Sequence, residues 1–346
     1  MLDSNVFIIA EAGSNWKAGS YNEDLKRAKK LIQVAAQSGA DAVKFQMFRA
    51  NTVYVQNAGN SDYLEKSGIK RSINEIFQKA EMPYEMLRKL SDYCKKQHIE
   101  LMITAFSVND AQVINKYVRI HKVASYEINH IRLLEYLAQT KKPIIISTGA
   151  SNYEEIDFAI KLLKKKKVKK YGLLQCTAKY PAPLESLNLS TIPQMKQKYN
   201  VPVGLSDHST DPVIGPASAV ALGATIIEKH FTLDKNLPGP DHKFALTPPE
   251  LKKMIQSIRD VEKALGDGKK RVLDVENELR NFAVRRIQAI KNIKKGDKLV
   301  EGYNIDVLRP GKRTRGAEAR FLPKIIGKIS NRAIKSGDGI RLQDCN

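Results

Sequence analysis

Cysteine is scarce: Cys94, Cys176 and Cys345 are the only three in 346 residues. They are far apart, odd in number and without a C-x-x-C pair, which excludes a disulfide framework and a zinc ribbon. They read as buried or incidental thiols. Long apolar runs are also missing, and no stretch approaches the ~18 residues that a membrane span needs. Met1-Leu2-Asp3-Ser4 has neither the basic nor the apolar region of a secretion signal and leads straight into the strand-like Phe7-Ile8-Ile9-Ala10. Cytoplasmic residence is therefore the expectation. No G-x-G-x-x-G follows that first strand, so the dinucleotide-binding fingerprint is absent.

Positive charge is what the chain has in excess, with 58 Lys+Arg against 37 Asp+Glu and a formal charge of +21. Clustered cations suit phosphate backbones. Yet aromatics make up only 7% of the residues and are not interleaved with the lysine runs, as a single-strand-binding surface requires. The densest run, Lys164-Lys165-Lys166-Lys167-Val168-Lys169-Lys170, directly precedes the strand-like Tyr171-Gly172-Leu173-Leu174, where cations at a solvated helix end favour the helix dipole. Nucleic acid is disfavoured as a partner, and so is a membrane. The last 62 positions, from Arg285 onward, hold 16 basic and 6 acidic residues. That composition shift is a first sign of a separate C-terminal module.

Apolar, β-branched runs bounded by turn signals give eight strand candidates: Phe7–Ala12, Ala42–Gln46, Glu100–Phe106, His121–Ser125, Pro143–Thr148, Tyr171–Cys176, Pro202–Leu205 and Ala224–Phe231. Amphipathic stretches such as Asn22–Ser38, Pro83–Gln97, Tyr153–Leu163 and Pro248–Leu265 lie between and after them. Eight βα units over about 265 residues predict an α/β fold, a (β/α)8 TIM barrel. The connection from Phe48 to about Met82, with Asn57-Ala58-Gly59-Asn60-Ser61, is too long for a plain βα loop and reads as functional. We expect the barrel over residues 1–268, a helical linker over 269–284 and a small, turn-rich β module over 285–346.

Polar residues gather at the C-terminal ends of these strands, the face on which α/β barrels build active sites. Period-two geometry puts Lys44 and Gln46 on one face of their strand, and likewise Glu228 and His230. If Lys44 and Lys122 point inward beside Thr104, Ser125, Ser147 and Ser206, they make a pocket for a phosphorylated, carboxylated anion; at the rim they would be ordinary surface cations. His208 and His230 end consecutive strands and can converge on one divalent ion. With two nitrogen ligands and oxygen partners, Mn²⁺ or Mg²⁺ is favoured over structural zinc. The shaped turn Leu237-Pro238-Gly239-Pro240-Asp241-His242 can present Asp241 and His242 to the same mouth.

The ordered set Ile9-Ala10-Glu11-Ala12-Gly13-Ser14-Asn15, Val43-Lys44-Phe45-Gln46, Thr104-Ala105-Phe106-Ser107, Lys122-Val123-Ala124-Ser125, Gly204-Leu205-Ser206-Asp207-His208 and Glu228-Lys229-His230-Phe231-Thr232 resembles the sialic acid synthase family over nearly the whole chain. The tail, with Arg309-Pro310-Gly311 and Ile326-Gly327-Lys328, resembles that family's antifreeze-like (SAF) domain. The resemblance implies condensation of phosphoenolpyruvate with N-acetylmannosamine or a related N-acyl hexosamine, giving an N-acetylneuraminate-type acid and phosphate by C–O cleavage. The alternative is a legionaminic or pseudaminic acid synthase using a diacetamido-trideoxyhexose. It also implies that His208 and His230 hold Mn²⁺, with Mg²⁺ or Co²⁺ as substitutes, and that Lys44, Thr104, Lys122, Ser125, Ser147 and Ser206 hold phosphoenolpyruvate. Gln46, Glu127, Tyr180 and Asp241 would contact the sugar, joined by Arg309 from the partner subunit of a domain-swapped homodimer, and Glu11 would be the acid/base residue. Two positions depart from the family pattern. Trp16 stands where many members have histidine, open to reading as a wall against the acyl group or as packing, and Ala178 replaces a frequent asparagine.

Overall fold

Short aliphatic segments, each closed by a turn and followed by an amphipathic helix, bury both faces in a parallel sheet, and closing that sheet into a barrel leaves no edge strand. The computed structural model, which describes residues 5–60 and 71–346, has this arrangement. The N-terminal reading of Met1–Ser4 and the part of the long connection from Ser61 to residue 70 lie outside the described residues. The strands are β1 (Phe7–Gly13), β2 (Ala42–Met47), β3 (Glu100–Ala105), β4 (His121–Val123), β5 (Ile144–Ser147), β6 (Tyr171–Cys176), β7 (Val203–Asp207) and β8 (Ile226–His230). They close in sequence order, and β8 pairs in parallel with β1.

Helix boundaries follow local chemistry. Helix Tyr21–Ser38 begins at a Ser20–Glu23 capping box and stops at Gly39, whose φ of +90° suits glycine. It buries Ala28, Leu31, Ile32 and Ala35 on one stripe. Helix Pro248–Leu265 starts at a Thr247–Glu250 box with proline in its first turn. No helix among the described residues is long and apolar enough to cross a membrane.

The eight expected strands are present, all but β6 differing by one or two residues at one or both ends. β4 stops at Val123 rather than Ser125, because Ser125–Glu127 forms a 3-10 turn in which Glu127 N–H bonds Ala124 O. β7 runs on to Asp207, so Ser206 belongs to the strand, and β8 is confined to Ile226–His230. Inside the barrel, Ile9, Ala42, Met102, Ile120, Ile145, Leu174 and Ile226 fill the N-terminal half as an apolar plug. Two residues further along, the inward positions turn mostly polar: Glu11, Lys44, Thr104, Lys122, Ser147 and Glu228, with Cys176 on β6 and Ser206 on β7. A packed floor thus carries a charged upper layer.

The chain divides into two compact units, Met1–Gly266 and Asp267–Asn346. The second holds helix Asn277–Ala283 and an antiparallel pair, β9 (Arg286–Ala289) and β10 (Ile305–Leu308). Its core is Ile287, Ala289, Ile293, Leu299, Ile305, Ile325, Ile334 and Ile340, with isolated bridges replacing longer strands.

Candidate active site

Both lysines point inward and are buried, each with 3% of its surface exposed. An ammonium in such a place needs anions and acceptors. Lys44 Nζ lies 2.6 Å from Glu11 Oε2 and 3.8 Å from Glu228 Oε2, and donates to Thr104 Oγ1 at 3.1 Å. Lys122 Nζ donates to Ser147 Oγ at 2.6 Å and to Val123 O at 3.0 Å, and lies 3.7 Å from Glu228 Oε1. Ser206 Oγ donates to Glu228 Oε1 at 3.0 Å. The four ionisable groups alternate in sign across the barrel as Glu11, Lys44, Glu228 and Lys122.

Environment splits the two carboxyls. Burial pushes Glu11 up, against the pull of Lys44 and with the help of Glu228. Burial also penalises the Glu228 carboxylate, but Lys122 and Lys44 together outweigh it and hold that group below its ordinary range. Burial lowers Lys122, while Glu11 and Glu228 keep Lys44 high in spite of its own burial. Burial thus favours the protonated form of Glu11 while the two lysines favour the carboxylate of Glu228, the kind of split that separates an acid from a charge-stabilising group.

His208 and His230 face one another at the ends of β7 and β8, their ring centroids 5.5 Å apart. His208 Nδ1 pairs with Thr177 O at 2.8 Å, which fixes the ring and leaves Nε2 free. His230 Nδ1 is buried without a hydrogen-bond partner, and burial keeps this imidazole neutral. Two imidazoles held in this way suit a divalent ion that takes its other ligands from oxygen. Among the described residues no group of three His, Cys, Asp or Glu side chains forms a complete ligand set.

A cavity of about 520 Å³ contains this charged layer together with Ser125, Glu127 and Tyr180. It continues into an outer chamber lined by Ser14, Gln46, Phe48, Tyr54, Phe77, Tyr126 and Asp241. Gln46 Nε2 donates to Glu11 Oε1 at 3.0 Å, and Ser125 Oγ accepts from Gly149 N at 3.0 Å. Asp241 Oδ2 accepts from Ser14 N and Oγ at 3.2 and 3.0 Å. The Tyr180 ring stacks on His208 at 4.2 Å. Burial raises Glu127 to about 7.

Thirteen of the fourteen expected site residues thus share one pair of joined cavities in the barrel. Arg309 lies in the second unit, directly after β10. Two expectations change. His242 does not join Asp241 at the mouth: it is 1% exposed and its Nδ1 pairs with Thr232 Oγ1 at 2.6 Å. Trp16, also 1% exposed, is a packing residue of the main core and not a wall of the cavity. Sequence reasoning gave Glu228 no role, although a glutamate two residues before His230 on a buried strand must meet a cation. The wall of Phe48, Tyr54 and Phe77, in which the Phe77 ring meets Phe48 at 4.7 Å and Tyr54 at 4.9 Å, carries no periodic signal.

Comparison with known proteins gives a consistent picture. The NeuB family model matches residues 31–270. The spore coat polysaccharide biosynthesis protein SpsE of Bacillus subtilis is 40% identical, covering 99% of this chain and 94% of that protein. The N,N'-diacetyllegionaminic acid synthase of Campylobacter jejuni is also 40% identical, over 96% of this chain and 98% of its own. Among solved structures, the N-acetylneuraminic acid (sialic acid) synthetase of Leptospira borgpetersenii, in complex with citrate, matches with a TM-score of 0.70 at 35% identity, covering 80% of this chain and 92% of that one.

Proposed function

Because the chain belongs to the NeuB family, we propose that it condenses phosphoenolpyruvate with the open-chain form of an N-acyl hexosamine, producing a nonulosonic acid and inorganic phosphate. The observation that carries this reading is the buried charged layer, in which Lys44 and Lys122 stand among hydroxyls in the same cavity as two buried imidazoles.

In this reading Lys44 and Lys122, with Thr104, Ser125, Ser147 and Ser206, hold the enol phosphate and its carboxylate through charge-assisted hydrogen bonds. The sugar lies above, against Gln46, Glu127, Tyr180 and Asp241, with Arg309 of the partner subunit completing the site in a domain-swapped homodimer. A divalent ion held by His208 and His230, Mn²⁺ with Mg²⁺ or Co²⁺ as substitutes, would supply Lewis-acid polarisation of the aldehyde. C3 of phosphoenolpyruvate bonds to the aldehyde carbon, and the aldehyde oxygen takes a proton from Glu11, whose protonated form burial favours. The cationic C2 left behind is captured by water, whose proton returns to Glu11. Collapse at C2 breaks its bond to the phosphate oxygen, and the hydroxyl proton leaves with the phosphate. Glu11 ends as it began, so one carboxyl serves both transfers, and Glu228 balances the lysines throughout.

The outer chamber favours one acceptor. Phe48, Tyr54, Ile73, Ile76 and Phe77 make its far wall apolar, which suits a 6-deoxy carbon and a second acetamido methyl better than the hydroxyls of N-acetylmannosamine. A 2,4-diacetamido-2,4,6-trideoxyhexose is therefore the preferred acceptor. The test is phosphate release from phosphoenolpyruvate by the chelated and then Mn²⁺-restored protein, with each sugar offered separately. Release that depends on the diacetamido sugar supports the full reading; release only with N-acetylmannosamine overturns the acceptor assignment, and release with neither overturns the reaction.

A further inference from the structure

The inner faces of β7 and β8 present Ser206, His208, Glu228 and His230 to the cavity. The residues between them, Asp207 and Lys229, point the other way, are each 1% exposed and are direct partners in the parallel ladder. An ion pair so fully withdrawn from water is a poor way to gain stability, since an uncharged pair of similar shape is often as stable or more so. Its geometry suggests another use. Lys229 Nζ lies 2.5 Å from Asp207 Oδ2 and donates to Ser209 O at 2.6 Å, Ser209 Oγ at 3.1 Å and Asp211 O at 3.0 Å. Asp207 Oδ1 in turn accepts from Ser209 N at 2.8 Å.

These contacts draw the segment 207–211 around a single ammonium. That segment carries His208, and the ammonium belongs to the residue before His230. The fold also makes room for the pair: a Cβ on Gly215 would stand 2.7 Å from Asp207 Oδ2, so the following helix can approach only because glycine is there. On the cavity side, His208 is also held by its Nδ1 contact with Thr177 O, by Cys176 Sγ at 3.8 Å and by the stacked Tyr180 ring.

We propose that Lys229 and Asp207 are positioning residues which fix the separation and direction of the His208 and His230 imidazoles from behind the barrel wall, touching neither substrate nor ion. This inference rests on the metal reading of the two histidines given above. It requires that loosening the Lys229 cage disturbs the ion site while leaving the phosphoenolpyruvate lysines, on β2 and β4, as they were.

The test is the double variant Asp207→Asn/Lys229→Met, which removes both charges and so strands neither. Mn²⁺ dissociation constants are measured by the electron paramagnetic resonance of free Mn²⁺, alongside thermal unfolding and the kinetics of each substrate. The expected result is a folded protein with Mn²⁺ affinity reduced about 10-fold or more, as for other groups that orient metal-binding imidazoles, with lower kcat and unchanged KM for phosphoenolpyruvate. A merely structural role would instead move the melting temperature and that KM together, and would overturn the proposal. Ser209→Ala, which removes one contact to each partner while the charges stay paired, should weaken Mn²⁺ binding in the same direction by a smaller factor. It decides the matter if the double variant does not fold. Wild-type Mn²⁺ affinity in the folded variants overturns the positioning role alone. Failure of the wild-type protein to bind Mn²⁺ removes the metal reading, and this inference with it.

Discussion

Replacing Glu127 by glutamine should make the barrel more stable and the enzyme worse. Burial raises this carboxyl from 4.5 to about 7, opposed only in part by Lys122, and its Oε2 has no hydrogen-bond partner. The folded chain holds the proton more tightly than the unfolded chain, so folding takes up a proton between these two values. Stability from this group is therefore greatest below pH 4.5, declines as pH rises toward 7 and is level above it. At about 1.4 kcal/mol per pH unit, the decline between pH 5 and pH 8 comes to about 2.5 kcal/mol. Glutamine keeps the shape and does not ionise, so Glu127→Gln should gain that amount over wild type between those two pH values. Urea unfolding followed by fluorescence of Trp16, the one tryptophan and a core residue of the first unit, reads the barrel directly. Acceptor KM should rise about 10-fold at pH 8, where a charged acceptor of sugar hydrogen bonds has been lost. Parallel stability-against-pH curves for wild type and variant would refute the assignment of the cost to this carboxyl.

Lys44→Met removes the cation between Glu11 and Glu228, and kcat/KM for phosphoenolpyruvate should fall about 30-fold or more; a change below threefold in steady-state kinetics would remove Lys44 from the anion site. Gly13→Ala places a Cβ 2.6 Å from Asp241 Oδ2 at a φ of +51°. It should raise acceptor KM about 10-fold and lower the melting temperature, with KM for phosphoenolpyruvate unchanged. Arg309→Ala should lose acceptor affinity yet bind Mn²⁺ normally. Mixing it with Lys44→Met subunits should restore activity by pairing an intact barrel with an intact Arg309, and no recovery after subunit exchange would count against a shared site.

Much of the barrel is legible in the sequence because each strand is a short aliphatic run with a turn on either side. The site is legible in part. Alternation shows that Lys44 shares a face with Gln46, but on a barrel strand both faces are buried, so hydropathy cannot say which one is inner. What settles it is Glu11 and Glu228, brought beside Lys44 from two other strands. The end of β4 was misjudged because Ser125 and Glu127 satisfy their backbone locally, in a turn that apolar patterning does not register. The aromatic wall comes from the long connection after β2, whose residues acquire a common role only when Phe77 folds back onto Phe48 and Tyr54. His242 resembled a mouth residue by its neighbour Asp241, whereas its bond to Thr232 turns it into the core.

Under the proposed function, the two classes of lysine in this chain would divide the work of capturing an anion between arrival and residence. Exposed cations act through solvent over a distance of about 8 to 10 Å, so only those near the C-terminal mouth would speed the arrival of an anionic substrate, and added salt should slow that association. Lys44 and Lys122, each 3% exposed, would act at contact, where screening by salt is weak. The time a bound substrate stays should therefore be nearly independent of ionic strength, and salt should change how often the barrel is visited far more than how firmly it holds.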